Sequence, residues 1–242
     1  MKVIGIIPAR YASTRFPGKP LVDLKGKPMI QRVYEGAAAC ASLDSVIVAT
    51  DDQRIYDAVK AFGGNVEMTS ESHPSGTDRC GELAAKYDAD VIVNVQGDEP
   101  LVNPGQIDTL CSAFQDATVS IATLGHTQVS PDDLSDINRV KVVCDTNGNA
   151  LYFSRSPIPS TERASEQVKA SFPFMRHIGL YAYRKETLQE LVELKPCALE
   201  QMEALEQLRW MYYGYEIRVI PTDIETPNID SPEDLDQVMD AL

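Results

Sequence analysis

The sequence lacks the common nucleotide-binding signatures. There is no GxxxxGK[ST] loop, and the first apolar run is followed by Pro8-Ala9-Arg10 rather than GxGxxG, which removes P-loop and dinucleotide-dehydrogenase readings. Positive charge is also scarce: 22 Lys and Arg stand against 36 Asp and Glu, a formal charge of −14 that argues against nucleic acid or an anionic membrane as partner. No apolar run approaches the roughly 20 residues of a membrane span. The five cysteines, Cys40, Cys80, Cys111, Cys144 and Cys197, are odd in number and widely separated, with neither a CxxC pair nor histidines at zinc spacing. They read as reduced and mostly buried, without a local pattern that would activate a nucleophile. His73, His126 and His177 show no nucleophile–base arrangement. The order of a signal peptide is missing, since Arg10 and Arg15 follow only a short apolar strand, so a soluble cytoplasmic protein is expected.

What is present is alternation. Apolar runs at 3–7, 45–50, 66–69 and 91–95 are separated by segments with helical spacing, such as Met29, Ile30, Val33, Tyr34 and Ala37, or Ile55, Ala58, Val59 and Phe62. A helix from about Pro104 to Gln115 and a strand from Val119 to Leu124 continue the pattern. It points to an α/β fold with a Rossmann-like, mostly parallel sheet. Longer strands then follow one another at 139–144, 150–154 and 174–183, which suggests an antiparallel insertion subdomain over about 129–195 within one domain of 242 residues. Leu199, Met202, Leu205 and Leu208 read as the core stripe of one helix ended by Gly214. Ser231 and Pro232 read as the start of a last helix.

The stretch after the first strand carries Arg10, Ser13, Thr14, Arg15 and Lys19. No single helix or strand face presents its three cations together, whereas a loop curled over a polyphosphate does; arginine offers a planar fork to phosphate oxygens and lysine a point charge. A solvated basic loop has the same composition, so other residues must decide. Ser75-Gly76-Thr77-Asp78-Arg79 either caps the following helix or brings Ser75 and Arg79 to a ligand beside Gly76. Asp98 follows the continuous apolar strand 91–95, at the sheet edge where open α/β folds bind ligands. Asp98 and Asp230 are carboxylates suited to Mg²⁺, which takes one or two of them together with substrate phosphates and water. A triphosphate loop with such carboxylates suggests phosphoryl or nucleotidyl transfer.

The segment Ile7-Pro8-Ala9-Arg10-Tyr11-Ala12-Ser13-Thr14-Arg15-Phe16-Pro17-Gly18-Lys19-Pro20-Leu21 strongly resembles the opening of the 3-deoxy-manno-octulosonate (Kdo) cytidylyltransferases. Asn94-Val95-Gln96-Gly97-Asp98-Glu99-Pro100, Ala150-Leu151-Tyr152-Phe153-Ser154-Arg155, Arg176-His177-Ile178-Gly179-Leu180-Tyr181, Leu205-Glu206-Gln207-Leu208-Arg209 and Ile229-Asp230-Ser231-Pro232 resemble later blocks of that family, in its order. The resemblance implies Mg²⁺-dependent transfer of CMP from CTP to Kdo for lipopolysaccharide biosynthesis, by a homodimer whose antiparallel insertion serves sugar binding and dimerisation. It implies that Arg10 and Lys19 hold the triphosphate with help from Ser13 and Arg15. Asp98 and Asp230 bind the metal, and Arg79 and Gln96, with Pro8, Ala9 and Ser75, surround the nucleotide. Arg155, His177, Tyr181, Glu206 and Gln207 face the sugar.

Each sugar-side residue also has a plainer reading. Tyr181 and Tyr183 alternate along a strand, so at least one belongs to the core; His177 reads as a structural histidine; Glu203 and Arg209 could form a solvated face beside Glu206. After Ser156-Pro157-Ile158-Pro159 stands Ser160, where many relatives carry an aromatic residue. An 8-amino analogue of Kdo or another 2-keto sugar acid therefore remains an alternative acceptor, and a catalytically silent nucleotide-binding module is the alternative from another class.

Overall fold

The computed structural model describes residues 1–12, 16–227, 229 and 232–241. The N-terminal apolar run forms β1 (Val3–Ala9), buried along almost its whole length. A short ribbon of β2 (Asp23–Leu24) and β3 (Lys27–Pro28) turns through Lys25 and Gly26, both at positive φ. Pro28 then stands directly before α1 (Met29–Ala38), which buries Met29, Ile30, Val33 and Ala37. β4 (Ser45–Thr50) leads into α2 (Gln53–Ala61), capped by the Asp52 carboxylate accepting from the Arg54 N–H. β5 (Val66–Met68), α3 (Gly76–Lys86), β6 (Val91–Asn94) and α4 (Pro104–Ser112) complete the alternation.

Beyond it come β7 (Ile121–His126), α5 (Pro131–Ser135), β8 (Lys141–Cys144), β9 (Ala150–Ser154), α6 (Glu166–Ser171) and β10 (Met175–Arg184). The chain ends through α7 (Lys185–Leu191), α8 (Ala198–Glu203), α9 (Gln207–Tyr212), β11 (Arg218–Thr222) and α10 (Leu235–Ala241). The fold is mixed α/β, with a mostly parallel central sheet and antiparallel additions.

Two units divide the chain. The first comprises residues 1–112, 180–192 and 226–242. In it β6, β1, β4 and β5 lie side by side in parallel, and the C-terminal part of β10 adds antiparallel to β6, with Tyr181 opposite Asn94. Strand order reverses at β1: the chain moves out through β4 and β5, then returns to β6 on the other side of β1. That reversal opens a crevice beyond the carboxyl ends of β1 and β6. The second unit comprises 113–179 and 193–225, against the stretch of about 129–195 expected for the insertion. Here β8 pairs antiparallel with β9 and with the start of β10, and β11 lies parallel to β7.

The helix expected along 199–212 is two helices. Ala204 adopts the left-handed conformation (φ 51°, ψ 48°) and ends α8, and α9 starts in a new direction at Gln207. Leu205 and Leu208 are buried as the spacing implies, but Leu199 and Met202 are 40 % and 86 % exposed, so the core stripe is confined to the turn and the second helix. The N-cap expected at Ser231 lies outside the described residues; Pro232 opens a 3-10 turn ahead of α10. The cysteines are free as expected, four of them buried. Burial raises the thiols of Cys40 to about 11 and Cys111 to about 12, which leaves them protonated and without nucleophilic character at neutral pH.

Candidate active site

A cavity of about 220 Å³ occupies the crevice beyond β1 and β6. The end of β1 contributes Pro8, Ala9 and Arg10, the segment after β6 contributes Gln96, Gly97 and Asp98, and the start of α3 contributes Ser75, Gly76 and Arg79. Lys19, Pro20 and His73 complete its wall. These side chains come from four separate stretches of sequence. They meet because two parallel strands end at the same sheet edge and the helix between β5 and β6 starts there.

Close approach of β1 and β6 depends on Gly97. A Cβ at that position would lie 2.8 Å from the Pro8 carbonyl oxygen, a backbone atom with little freedom to move. A Cβ at Gly76 would likewise meet Pro8, 3.1 Å from its Cγ, so part of the room the glycine leaves is filled by the first strand. The loop after β1 is closed by Gly18 at φ 74°, whose N–H donates to the Tyr11 carbonyl at 3.0 Å. The Tyr11 ring is held from the other side by the Arg54 guanidinium, 3.3 Å above its centroid. Lys19 follows Gly18 and is thereby aimed into the crevice.

Lys19 joins two acceptors. Its Nζ lies 3.0 Å from Asp98 Oδ2 and donates to the Ile229 carbonyl at 2.8 Å, while the Ile229 N–H donates back to the Asp98 carbonyl at 2.9 Å. Ile229 immediately precedes Asp230 in the sequence. Asp230, Ser13 and Arg15 lie outside the described residues. Arg10 behaves differently from Lys19: it is exposed and has no hydrogen-bond or ion-pair partner among the described residues. The crevice is therefore lined by a guanidinium without a partner among the described residues and by an ammonium already engaged with a carboxylate.

Ser75 caps α3 as one reading has it, its hydroxyl accepting from the Asp78 N–H at 3.2 Å, and its position in the cavity wall leaves the other open. The N-terminus of an 11-residue helix thus points its partial positive charge at the crevice. Arg79, only 3 % exposed, directs one outer nitrogen to Asp51 at 2.6 Å and the other to the Thr69 hydroxyl. It braces the ends of β4 and the segment after β5 while its flank forms cavity wall.

His73 escaped the sequence reading. Its Nε2 lies 2.7 Å from Glu82 Oε2, which also accepts from the Ser70 N–H at 2.8 Å, and Lys86 donates to the other carboxylate oxygen at 3.1 Å. Desolvation raises the Glu82 pKa, but these three donors outweigh it and bring it from 4.5 to about 2. A carboxyl depressed by folding stabilises the protein above its unfolded value of 4.5, and that stabilisation is lost as pH falls from there toward 2. Thermal unfolding of Glu82→Gln should therefore lie below that of the parent at pH 7, with the gap narrowing at pH 3. A gap that stays constant with pH would contradict the pairing.

The residues expected at the sugar are placed as follows. Tyr181 and Tyr183 are both buried, and their rings stack at 5.9 Å. His177 lies 3.0 Å from the Thr123 hydroxyl, which donates to the Ile178 carbonyl; Nε2 of the imidazole is then the donor to Thr123. Desolvation, with the neighbouring Arg176 charge, lowers its pKa to about 3, so the ring is neutral near pH 7. Gln207 is buried and Glu206 half-buried, at the start of α9. Arg155 donates to the carbonyls of Glu203, Ala204 and Ile137. Glu203 and Arg209 do not form a solvated face: Glu203 is bonded to the end of β9, and Arg209 is buried against Glu200.

The family model for cytidylyltransferases matches residues 4–219. The chain is 55 % identical to the 3-deoxy-manno-octulosonate cytidylyltransferase of Parabacteroides distasonis, over 100 % of this chain and 98 % of that protein. It is 52 % identical to the protein of the same name from Bacteroides thetaiotaomicron, with the same coverage. Among solved structures it superposes on a CMP:2-keto-3-deoxy-manno-octonic acid synthetase complexed with CTP with a TM-score of 0.93, at 44 % identity and covering 100 % and 98 % of the two chains. A 4-diphosphocytidyl-2C-methyl-D-erythritol synthase from Anaerococcus prevotii, at 12 % identity and a TM-score of 0.64, shares the fold.

Proposed function

The chain belongs to the cytidylyltransferase family, and from that premise we propose how its own residues carry the reaction. The protein is a nucleotidyltransferase that transfers CMP from CTP to Kdo and releases diphosphate. In that reaction a bond forms between the anomeric oxygen of the sugar and the α-phosphorus, the bond from that phosphorus to diphosphate breaks, and the sugar hydroxyl gives up its proton.

CTP occupies the crevice beyond β1 and β6, its triphosphate against Arg10 and Lys19 and its nucleoside against Ala9, Ser75, Arg79 and Gln96. The observation that carries this assignment is the convergence of Lys19 on Asp98 and on the Ile229 carbonyl, in a crevice that Arg10 also lines. Charge building on the leaving diphosphate meets cations already in place, with little reorganisation needed during the reaction. Ser13 and Arg15 belong to the same loop and are assigned to the phosphates with it.

The groups that accept from Lys19 are a carboxylate and a carbonyl, hard oxygens of the kind that suit Mg²⁺. Asp98 and Asp230 would hold that ion, which supplies charge neutralisation at the phosphates and acidifies the sugar hydroxyl. On the sugar side, Arg155, His177, Tyr181, Glu206 and Gln207 are assigned as in the family the sequence resembles. A neutral His177 serves there as a hydrogen-bonding group and not as a counter-ion for the sugar carboxylate. No helix among the described residues is long and apolar enough to cross a membrane. A cytoplasmic homodimer supplying activated Kdo to lipopolysaccharide biosynthesis completes the proposal.

The test is diphosphate release by purified protein from CTP, with Kdo, its 8-amino analogue and a sialic acid as competing acceptors, with and without Mg²⁺. Turnover is expected with Kdo and only when the divalent ion is present. Mn²⁺ titrated in place of Mg²⁺ and followed by paramagnetic resonance reads the metal site independently of turnover, and Asp98→Asn should weaken that binding. Turnover undiminished by a chelator would remove the metal from the proposal, and CTP binding without turnover on any acceptor would remove the enzyme.

A further inference from the structure

Glu203 is the hub of a polar cluster at the left-handed break between α8 and α9. Its Oε1 accepts from the Ser154 hydroxyl at 2.8 Å and its Oε2 from the Arg155 N–H at 2.9 Å, so the one carboxylate spans two consecutive residues at the end of β9. The Arg155 side chain returns the connection. Its Nε donates to the Glu203 carbonyl at 2.7 Å and its Nη2 to the Ala204 carbonyl at 3.2 Å. Arg155 is itself fixed from beneath, because its carbonyl accepts from Lys141 Nζ, a buried ammonium that also donates to the Asp136 carbonyl at 2.9 Å.

These bonds close on the place where the chain is least willing to turn. Ala204 holds φ 51° and ψ 48°, a left-handed conformation that a Cβ-bearing residue adopts only against steric resistance. Two residues later the chain presents Glu206, and then the buried Gln207, at the start of α9. The direction in which α9 leaves the turn decides where both side chains are presented. That direction is held by the Glu203 carboxylate and the Arg155 guanidinium, not by local helix propensity, which favours running straight on.

We propose that Glu203 is a positioning residue for the sugar acid: it fixes the α8–α9 turn so that Glu206 and Gln207 reach the substrate, without touching the substrate itself. This rests on the reading of Glu206 and Gln207 as sugar contacts. A glutamine at position 203 keeps the length but loses the charge and one acceptor: with its oxygen on the Arg155 N–H, its NH2 faces the Ser154 hydroxyl, which must stop donating and accept instead. Because the charge-assisted bonds of the carboxylate are the stronger kind, the turn loosens.

The experiment measures the KM for Kdo, the KM for CTP and the thermal midpoint in Glu203→Gln, Ser154→Ala, Glu206→Ala and Gln207→Ala. For Glu203→Gln the KM for Kdo should rise about tenfold, the effect of losing one charged hydrogen bond, with the KM for CTP within about twofold of the parent. Ser154→Ala deletes one bond to the same carboxylate, together with the bond its hydroxyl accepts from the Ser156 N–H, and should raise the KM for Kdo by about threefold. It also keeps the proposal testable should Glu203→Gln fail to fold. A KM for Kdo unchanged in both variants, or constants for Kdo and CTP that rise in parallel, overturns the proposal. If Glu206→Ala and Gln207→Ala leave the KM for Kdo unchanged, the sugar-site reading itself fails. If they raise it while the Glu203 and Ser154 variants do not, only the positioning role fails.

Discussion

Asp98→Asn should lower kcat by about three orders of magnitude, at the upper end of what removing one preorganised electrostatic group costs an active site. The substitution keeps the shape of the side chain and one acceptor oxygen, and the backbone of residue 98 still accepts from the Ile229 N–H. What disappears is the negative charge 3.0 Å from Lys19 Nζ. Both partners of that ion pair are partly exposed, so its loss should cost the fold no more than about 1 kcal/mol. Binding of CTP should move in the other direction. Lys19 loses its competing carboxylate and turns to the triphosphate, so the metal-free affinity for CTP should be equal to or tighter than the parent's. Calorimetric titration with CTP and a diphosphate-release assay on the same preparation separate the two effects. If turnover persists, Asp98 is not a metal ligand; if affinity and turnover fall together, the residue serves the nucleotide and not the chemical step.

That experiment reads a residue found by position alone. The continuous apolar runs of β1 and β6 announce two central strands, and in an open sheet the residues just past such strands share one edge, which is why Arg10 and Asp98 were legible together. Ser75 was legible as a helix cap at the crevice because it precedes the helical run directly. His73 was not, since its partner Glu82 lies on the next helix and nothing in the intervening sequence marks the pair. The break at Ala204 was hidden for a related reason. Leu199, Met202, Leu205 and Leu208 keep helical spacing straight through it, while the groups that impose the turn, Ser154 and Arg155, stand about 50 residues earlier in the chain. Local spacing reports what a segment favours, and a guanidinium arriving from another strand can overrule it. Arg79 shows the same limit, its outer nitrogens tied to Thr69 and Asp51, contacts that carry no local signature.

Arg10→Ala should cost about 10²–10³-fold in kcat/KM for CTP, or roughly 3–4 kcal/mol of transition-state stabilisation, while leaving folding stability within about 0.5 kcal/mol of the parent. The asymmetry follows from the structure. Among the described residues Arg10 has no hydrogen-bond or ion-pair partner, and it is exposed at the mouth of the crevice, so its removal breaks no bond to a described residue. In a chain carrying a formal charge of −14, an exposed guanidinium beside a helix N-terminus offers a fork suited to phosphate oxygens where most of the surface repels them. Arg10→Lys then discriminates between charge and shape. Lysine restores the charge but not the planar pair of donors, so it should recover part of the loss, and the recovered part should weaken faster with added salt because a single flexible ammonium holds the phosphate less closely. Unfolding curves for the three proteins should overlay while their kcat/KM values spread over about two orders of magnitude or more. If Arg10→Ala instead loses stability in proportion to its loss of activity, the guanidinium holds the loop after β1 in place, and the triphosphate clamp would rest on Lys19 and the start of α3.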